Sequence, residues 1–209
     1  MAANKTAKKP EAVEIIKGKL KIRPGKPAKV VSSSTVYQGP LFHVDKEHVN
    51  EPNCPTVIRD IVRHGGSVVI LAIDDAKKKD PLVVLERQYR HAAGQFLYEV
   101  PAGKIDPHED RLAAAKRELA EETGFRARKW TKLARYYASP GFLAEWMQVF
   151  LAEGLTPGQT NLDEDERLDI MLVPFSELLR LIDKGEIHDG KTLIAAMSYA
   201  RIRVKSTRR

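Results

Sequence analysis

The sequence is poor in cysteine, and its single cysteine, Cys54, cannot form a disulfide within the chain. A reducing compartment is the default for such a protein, so we expect a cytoplasmic location. Long apolar runs are also absent, because no stretch approaches the roughly 20 residues of a membrane-spanning helix. The opening residues, MAANKTAKKPEAVEIIKGK, lack the apolar core of a signal peptide. We therefore expect no membrane association.

Excess positive charge is missing from the middle of the chain and is concentrated at its two ends. Residues 1–29 contain nine Lys or Arg and two Asp or Glu, and residues 201–209 contain five basic residues and no acidic one. Residues 30–200 therefore carry 21 basic and 26 acidic residues, a net charge of −5. A basic end can contact nucleic acid, but a solvated, flexible arm is the commoner role. We predict such an arm at residues 1–29 and expect no nucleic-acid partner.

The apolar and polar patterning predicts strands first, then one helix, then further strands and helices. Residues 67–73 (SVVILAI) form a short apolar run between Gly-Gly and Asp-Asp, which is typical of a buried strand. Together with the run at 82–90 it predicts a hairpin. This order indicates a mixed α/β sandwich. We divide the chain into the arm at 1–29, an N-terminal β segment at 30–65 and the main domain at 66–205.

The first helix is predicted within GKIDPHEDRLAAAKRELAEETGF, residues 103–125. An apolar stripe recurs there at helical spacing and consists of Leu112, Ala115 and Leu119. Pro107 suits a first turn, so Asp106 or His108 is expected to cap the helix. Gly124 is expected to end it as a C-cap. The preceding residues 95–103 (QFLYEVPAG) predict one strand.

Three carboxylates, those of Glu118, Glu121 and Glu122, share an arc of about 100° on this helix at 100° per residue. Uncompensated, they would repel one another and raise one another's pKa. Hard divalent cations take oxygen ligands, and Mg²⁺ is typically held by one or two carboxylates, water and substrate phosphates. The spacing alone leaves two interpretations open, a Mg²⁺ site beside a phosphate and an ordinary solvated acidic face.

The full spacing is Gly103, five residues, Glu109, seven residues, Arg117-Glu118-Leu119, one residue, Glu121-Glu122, one residue, and Gly124-Phe125. This pattern resembles the Nudix box of the Nudix hydrolases, although the family usually has an aliphatic residue where Phe125 stands. The resemblance extends over residues 55–205. It implies a Nudix-type α/β/α sandwich with a divalent metal, expected to be Mg²⁺ with Mn²⁺ as an alternative. The implied reaction is cleavage of a diphosphate linked to another group.

The resemblance also implies roles for single residues of the box. The implied metal ligands are Glu118, Glu122, Glu121 directly or through water, and the carbonyl group of Ala102. Arg117 is expected to pair with a box glutamate, Glu109 or Glu121, and to hold it in place. For Arg117 and Glu109, a plain surface ion pair worth under about 1 kcal/mol is the alternative reading.

Two further segments, ERQYRHAAGQFLYEVPAGKID and SPGF, resemble the ADP-ribose pyrophosphatase subfamily. By this resemblance Arg90 binds a phosphate or the terminal ribose, and its guanidinium group suits bidentate phosphate contact. A strand-end arginine in water is the alternative. Weaker candidates for substrate contact are Arg63, Pro140, Gly141 and Glu145. Sugar-nucleotide pyrophosphatases of the GDP-mannose type share much of these segments, so they are an alternative.

Family members also need a base or water-orienting acid on a loop late in the fold. The segment NLDEDERLDIMLVPF stands at that place, where Glu166 aligns best with the loop acid and Glu164 second. One of the two is expected to orient or deprotonate the attacking water. The alternative is an acidic loop that is merely solvated.

For Tyr37 and Phe42 of the N-terminal segment we expect core packing, with stacking on adenine, in their own or a partner subunit, as the alternative. By analogy with the subfamily we expect a homodimer. The sequence thus predicts Mg²⁺-dependent hydrolysis of ADP-ribose, or a related nucleoside diphosphate sugar, to AMP and ribose 5-phosphate. A non-catalytic ADP-ribose-binding regulatory module is the alternative from another class, and the complete set of box glutamates argues against it.

Overall fold

The structure, a computed structural model, describes residues 25–74, 78–162 and 167–206. Most of the predicted arm and both loop acids, Glu164 and Glu166, lie outside these residues. The described strands are β1 (Lys29–Gln38), β2 (His43–Asn50), β3 (Thr56–Arg63), β4 (Ser67–Asp74), β5 (Leu82–Arg90), β6 (Gln95–Glu99), β7 (Ala102–Lys104), β8 (Arg126–Tyr137), β9 (Trp146–Thr156) and β10 (Asp169–Pro174). The described helices are α1 (Arg111–Thr123), α2 (Phe175–Asp183) and α3 (Gly190–Ser206). Among them, none has both the length and the apolar character that crossing a membrane requires.

The described strands form two sheets. Strands β1, β2 and β3 make an antiparallel meander of their own. The second sheet has the order β10-β5-β4-β9-β8, with β6 paired to β5 and β7 paired to β4. Because β4 and β9 run parallel while the other pairs are antiparallel, this sheet is mixed, as predicted. The predicted hairpin is also present, since β4 and β5 pair at Ile73–Val83 and Asp74–Leu82.

Strand β4 is buried on both faces, which explains its unbroken apolar sequence. Its side chains alternate between two core clusters because successive residues of a strand point to opposite faces. Val68, Ile70 and Ala72 pack with the apolar stripe of α1. Val69, Leu71 and Ile73 pack with residues of α2 and α3. Full burial of each such aliphatic side chain contributes about 1.5–3 kcal/mol, and the two layers complete the predicted α/β/α sandwich.

The start of α1 differs from the prediction. Asp110 caps the helix, because its carboxylate accepts from the backbone amides of Leu112 at 2.8 Å and Ala113 at 3.2 Å. These amides have no partner within the helix, so a short acceptor one residue before its first turn is favoured. Asp106 and His108, the predicted caps, lie in the preceding loop. The other end is as predicted, since Gly124 ends the helix with φ of 73°.

The single strand predicted at 95–103 is two strands. Strand β6 pairs with β5, whereas β7 pairs with β4, so the chain crosses between neighbours at Val100 and Pro101. Pro101 has no amide to donate, but its carbonyl group accepts from the Ile70 amide at 2.8 Å. This crossing directs Ala102 and Gly103 towards α1.

Candidate functional site

The predicted metal ligands gather around one cavity between β7 and α1. The cavity has a volume of about 530 Å³, and its lining residues are Leu41, Ala102, Gly103, Lys104, Asp106, Arg117, Glu118, Glu121, Glu122 and Asn161. Helical spacing brings the three glutamates to this side of α1, and the β6–β7 crossing brings Ala102 to face them. All four predicted ligands therefore line the same space.

Gly103 makes room for one of these carboxylates. A Cβ atom at this position would lie 1.9 Å from Glu118 Cδ and 2.2 Å from both carboxylate oxygens. Such contacts are impossible, so the Glu118 carboxylate can lie over this backbone only if residue 103 is glycine. A side chain at residue 103 would therefore displace the Glu118 carboxylate from this position.

Glu122 is held against the other side of the same turn. Its Oε2 atom accepts from the Ala102 amide at 3.1 Å, and the residue is only 7% exposed. The Glu122 carboxylate is consequently held beside the β6–β7 crossing, next to Ala102, whose carbonyl group is another predicted ligand. A buried carboxylate in such a place calls for a compensating positive charge or a proton.

Arg117 ties the remaining carboxylates together. Its Nε and Nη2 atoms donate to the two oxygens of Glu109 at 3.0 and 2.8 Å, and Nη2 also donates to the Lys104 carbonyl group at 3.0 Å. Nη1 donates to Glu118 at 2.8 Å and to Glu121 at 3.0 Å. The predicted pairing with Glu109 and Glu121 is thus present. The bond to Glu109 is the main cause that raises the pKa of Arg117, and the same bond lowers the pKa of Glu109.

Among the described residues, no three His, Cys, Asp or Glu side chains converge closely enough to form a ready-made metal-binding group. The contacts of the glutamates give the reason, because Arg117 draws Glu118 and Glu121 to one side while Ala102 holds Glu122 on the other. The donor set is nonetheless all oxygen, and the close contact at Gly103 keeps one carboxylate in place. These residues fit a hard divalent cation.

The β9–β10 loop, which contains the predicted acids, packs against the C-terminal end of α1. The Asn161 amide donates to the Glu121 carbonyl group at 2.8 Å. Gly124 packs so closely on this segment that a Cβ atom there would lie 2.8 Å from the Gly158 carbonyl oxygen. The described chain therefore reaches the cavity three residues before Glu164.

Arg90, at the end of β5, is paired with Glu99 of β6. Its Nε and Nη2 atoms donate to the two Glu99 carboxylate oxygens at 2.8 and 2.7 Å. This bond raises the pKa of Arg90. Burial alone would raise the pKa of Glu99, but hydrogen bonds and the charges of Arg90 and Lys191 outweigh it and lower that pKa. The Arg90 side chain is still 42% exposed, so it can also contact a ligand.

Glu86 of β5 is a buried carboxyl group beside the site that was not among the predicted site residues. It is 3% exposed, it lies within hydrogen-bonding reach of Glu122, and burial raises its pKa to about 8. Its Oε1 atom has no hydrogen-bond partner among the described residues. A signal was available, because alternation along LVVLERQYR places Glu86 on the same inward face as Val84.

The weaker substrate candidates do not line this cavity. Arg63 lines a second cavity of about 360 Å³ and pairs there with Asp45 at 3.2 Å and with Glu47. Glu145 accepts from the Ser67 hydroxyl group at 2.7 Å. Pro140 and Gly141 are exposed in the β8–β9 connection, which packs on β3 through the Val62 backbone. None of these four residues is among those that line the cavity of the box glutamates.

Tyr37 and Phe42 lie at the surface, 51% and 36% exposed, so the expectation that they pack in the core is wrong. Their rings are in contact with each other, with centroids 5.4 Å apart. Phe42 lines the second cavity, whereas Leu41 lines both cavities. The two cavities therefore adjoin at Leu41.

The chain was compared with known proteins. The NUDIX domain model matches residues 63–195. The chain is 37% identical over 169 residues to the ADP-ribose pyrophosphatase of Bacillus subtilis (strain 168), a match that covers 80% of this chain and 89% of that one. It is 38% identical over 146 residues to the GDP-mannose pyrophosphatase of Escherichia coli O1:K1 / APEC, a match that covers 65% of this chain and 74% of that one. The crystal structure of an ADP compounds hydrolase shares the fold, with a TM-score of 0.73 at 22% identity over 87% of this chain and 96% of that one. The chain therefore belongs to the NUDIX domain family and is a Nudix hydrolase.

Proposed function

We propose that this protein hydrolyses the diphosphate of ADP-ribose to AMP and ribose 5-phosphate. In this reaction a water oxygen forms a bond to one phosphorus and the bond from that phosphorus to the bridging oxygen breaks. The observation that carries the proposal is the grouping of Glu118, Glu121 and Glu122 around the 530 Å³ cavity. The subfamily resemblance and the name of the Bacillus subtilis relative support ADP-ribose as the substrate.

Glu118, Glu121, Glu122 and the Ala102 carbonyl group are proposed to hold Mg²⁺, with Mn²⁺ as an alternative. A bound divalent cation supplies positive charge that offsets the diphosphate and makes water more acidic. Arg117 and Glu109 orient the glutamates, because Arg117 bridges Glu109 to both Glu118 and Glu121. A plain surface ion pair would not contact three carboxylates at once.

A loop acid is proposed to orient or deprotonate the attacking water. Glu166 is the first choice and Glu164 the second, and both lie outside the described residues. The hydrogen bond from the Asn161 amide to the Glu121 carbonyl group supports this role, because it holds the described part of the loop at the edge of the cavity. A carboxylate that is not engaged as a metal ligand is the better base.

Arg90 is proposed to hold a phosphate or the terminal ribose, as its exposed guanidinium group allows. Adenine is proposed to bind in the second cavity, where Phe42 offers a ring face and Tyr37 lies beside it. Leu41 lines both cavities, so one nucleotide can place adenine in the second cavity and its diphosphate in the first. Arg63 lies in the second cavity and can contact the nucleotide there, while Pro140, Gly141 and Glu145 are proposed as weaker contacts.

We further propose that the protein is a cytoplasmic homodimer. Each chain is proposed to consist of the arm at 1–29, the β segment at 30–65 and the Nudix domain at 66–205. The first sheet supports a dimer because large apolar side chains are exposed on it, among them Val30, Val31, Val36 and Ile58. A second copy of the chain is the expected cover for this surface.

Hydrolysis of GDP-mannose is the second candidate, favoured by the similarity to the Escherichia coli relative. Purified protein with Mg²⁺ is to be tested against ADP-ribose, GDP-mannose and other nucleoside diphosphate derivatives. We expect the highest kcat/KM for ADP-ribose, with AMP and ribose 5-phosphate as products. Higher kcat/KM for GDP-mannose would transfer the assignment to that substrate. Binding of ADP-ribose without release of AMP would instead indicate a non-catalytic module.

A further inference from the structure

A buried ion-pair cluster joins the start of α3 to Arg90. The Lys191 ammonium group donates to Glu99 Oε2 and, at 3.1 Å, to Asp189 Oδ1. Glu99 Oε2 also accepts from Arg90 Nη2 at 2.7 Å, and Oε1 accepts from Arg90 Nε at 2.8 Å. One carboxylate is thus shared by two cations. The side chains of Glu99 and Lys191 are only 2% and 10% exposed, so water screens these contacts little.

The cluster is anchored in the fold on the side of α3. Asp189 Oδ2 accepts from the Thr192 amide at 2.9 Å and from the Thr192 hydroxyl group at 2.6 Å. That hydroxyl oxygen in turn accepts from the Val100 amide at 2.9 Å, and Thr192 is fully buried. The start of the helix therefore holds both Lys191 and the backbone beside Glu99.

Exposure differs sharply within the cluster, because the side chains of Lys191 and Glu99 are 10% and 2% exposed whereas that of Arg90 is 42% exposed. Arg90 alone among these three has a substantially exposed side chain, so it is the member that a substrate can reach. A bidentate pair of Arg90 with Glu99 leaves both groups free to turn together about the glutamate side chain. A second cation on Oε2, fixed to α3, removes that freedom, as contacts behind a binding residue commonly do.

We propose that Lys191 is a positioning residue, which acts through Glu99 to hold the Arg90 guanidinium group in the orientation that binds the substrate. This inference rests on the function proposed for Arg90. The Lys191 ammonium group is engaged by Glu99 and Asp189 and its side chain is only 10% exposed, so we assign it no substrate contact of its own. An ion pair that only stabilises the fold would change the melting temperature without acting through Arg90.

A double-mutant cycle tests the inference. KM and kcat for ADP-ribose are measured with Mg²⁺, and the Kd for ADP-ribose is measured calorimetrically in EDTA, where turnover is prevented. The proteins are the wild type, Lys191→Met, Arg90→Gln and the double variant. We expect Lys191→Met to raise KM and Kd by about tenfold with a much smaller change in kcat, since a binding contact is weakened. The double variant should bind no more weakly than Arg90→Gln alone, because residues that act as one unit are not additive.

Two further variants serve as controls. Lys191→Arg keeps the charge and should recover most of the affinity. Lys129→Met removes an exposed lysine that pairs with Glu153 at 2.6 Å, and it should leave KM and Kd unchanged. If Lys191→Met does not fold, Lys191→Gln replaces it in the cycle. Additive losses in the double variant, or an unchanged Kd in the single variant, would overturn the inference.

A second measurement does not depend on the substrate. The Arg90 Nε–H signal in the ¹H–¹⁵N NMR spectrum, assigned from its loss in Arg90→Gln, reports the contact with Glu99. We expect this signal to shift and to exchange faster with water in Lys191→Met. An unchanged signal would refute the positioning role. Failure of wild-type protein to bind either ADP-ribose or GDP-mannose would instead refute the proposed function. The NMR measurement would then decide by itself whether Lys191 positions Arg90.

Discussion

The loop and helix at 103–125 and the first sheet depart from the usual distribution of residues in opposite ways. Around α1, carboxylates are buried or half-buried beside the core, as for Glu122. On the first sheet, valines such as Val36 lie at the surface. Charged side chains usually lie outside and large exposed apolar patches are uncommon, so each departure is consistent with the binding partner proposed for that region. The partly buried acidic groups support the proposed cation site, whereas the exposed apolar side chains support the proposed contact with a second copy of the chain.

The largest effect is expected from a change in the box. Glu122→Gln keeps an oxygen that can accept from the Ala102 amide but loses the negative charge. The fold should persist while kcat falls by at least about two orders of magnitude, because the proposed metal ligand loses its negative charge. Steady-state release of AMP and calorimetric Mn²⁺ binding are the measurements. The control is the same change beside the first sheet, Glu51→Gln, which removes an ion pair with Arg59. It should leave AMP release and Mn²⁺ binding unchanged. Equal activity in the two variants would remove Glu122 from the site.

The loop acids come next. Glu166→Gln should lower kcat by about 10²-fold with little change in KM, the usual size of a general-base effect. Glu164→Gln should do less, because Glu166 is nearer in sequence to β10, which begins at Asp169. Both variants are assayed for AMP release at saturating Mg²⁺. The reverse ranking would move the role to Glu164, and two fully active variants would exclude this loop.

A moderate effect concerns stability. Burial raises the pKa of Glu86 to about 8 in the folded protein, above its usual 4.5. The folded state therefore binds this proton more tightly, and the resulting stability is complete below pH 4.5 and is lost as pH rises through 8. We expect the urea midpoint of EDTA-treated protein to fall over this range and to fall much less in Glu86→Gln.

The control for this test is again on the first sheet. Asp60 of β3 pairs with Lys46 at 3.5 Å and is exposed, so Asp60→Asn should leave the pH dependence as it is in the wild type. If Glu86→Gln retained the full decrease, the burial of Glu86 would not be its cause.

The smallest effect is expected from the basic end. Deletion of residues 1–20 should leave hydrolysis and the melting temperature nearly unchanged, because the described sheet begins only at Lys29. Sedimentation should still report a dimer, whereas Val36→Lys in the full chain should weaken it by charging the exposed apolar surface. A monomeric or inactive truncated protein would make the arm part of the dimer.

Features of this protein that depend on neighbouring residues could be predicted from the sequence, whereas those that depend on distant segments could not. The apolar stripe of α1, its end at Gly124 and the common side of the three glutamates follow from helical spacing within a few residues. The cap at Asp110 was missed because Pro107 and its neighbours satisfied the same local preference. The division of residues 95–103 into β6 and β7 was missed because it depends on which strands lie beside them.

By itself, the sequence determined the family, the mixed sandwich and the residues of the box, since periodicity and fixed spacing are local properties of the chain. Only the tertiary structure decided that Gly103 must lie under Glu118, that Glu86 is buried beside Glu122, and that Lys191 reaches Glu99, 92 residues away. These contacts depend on burial and on pairing between distant segments. No local pattern encodes them, because the free energy of a buried charge is set by whichever side chains the fold brings around it.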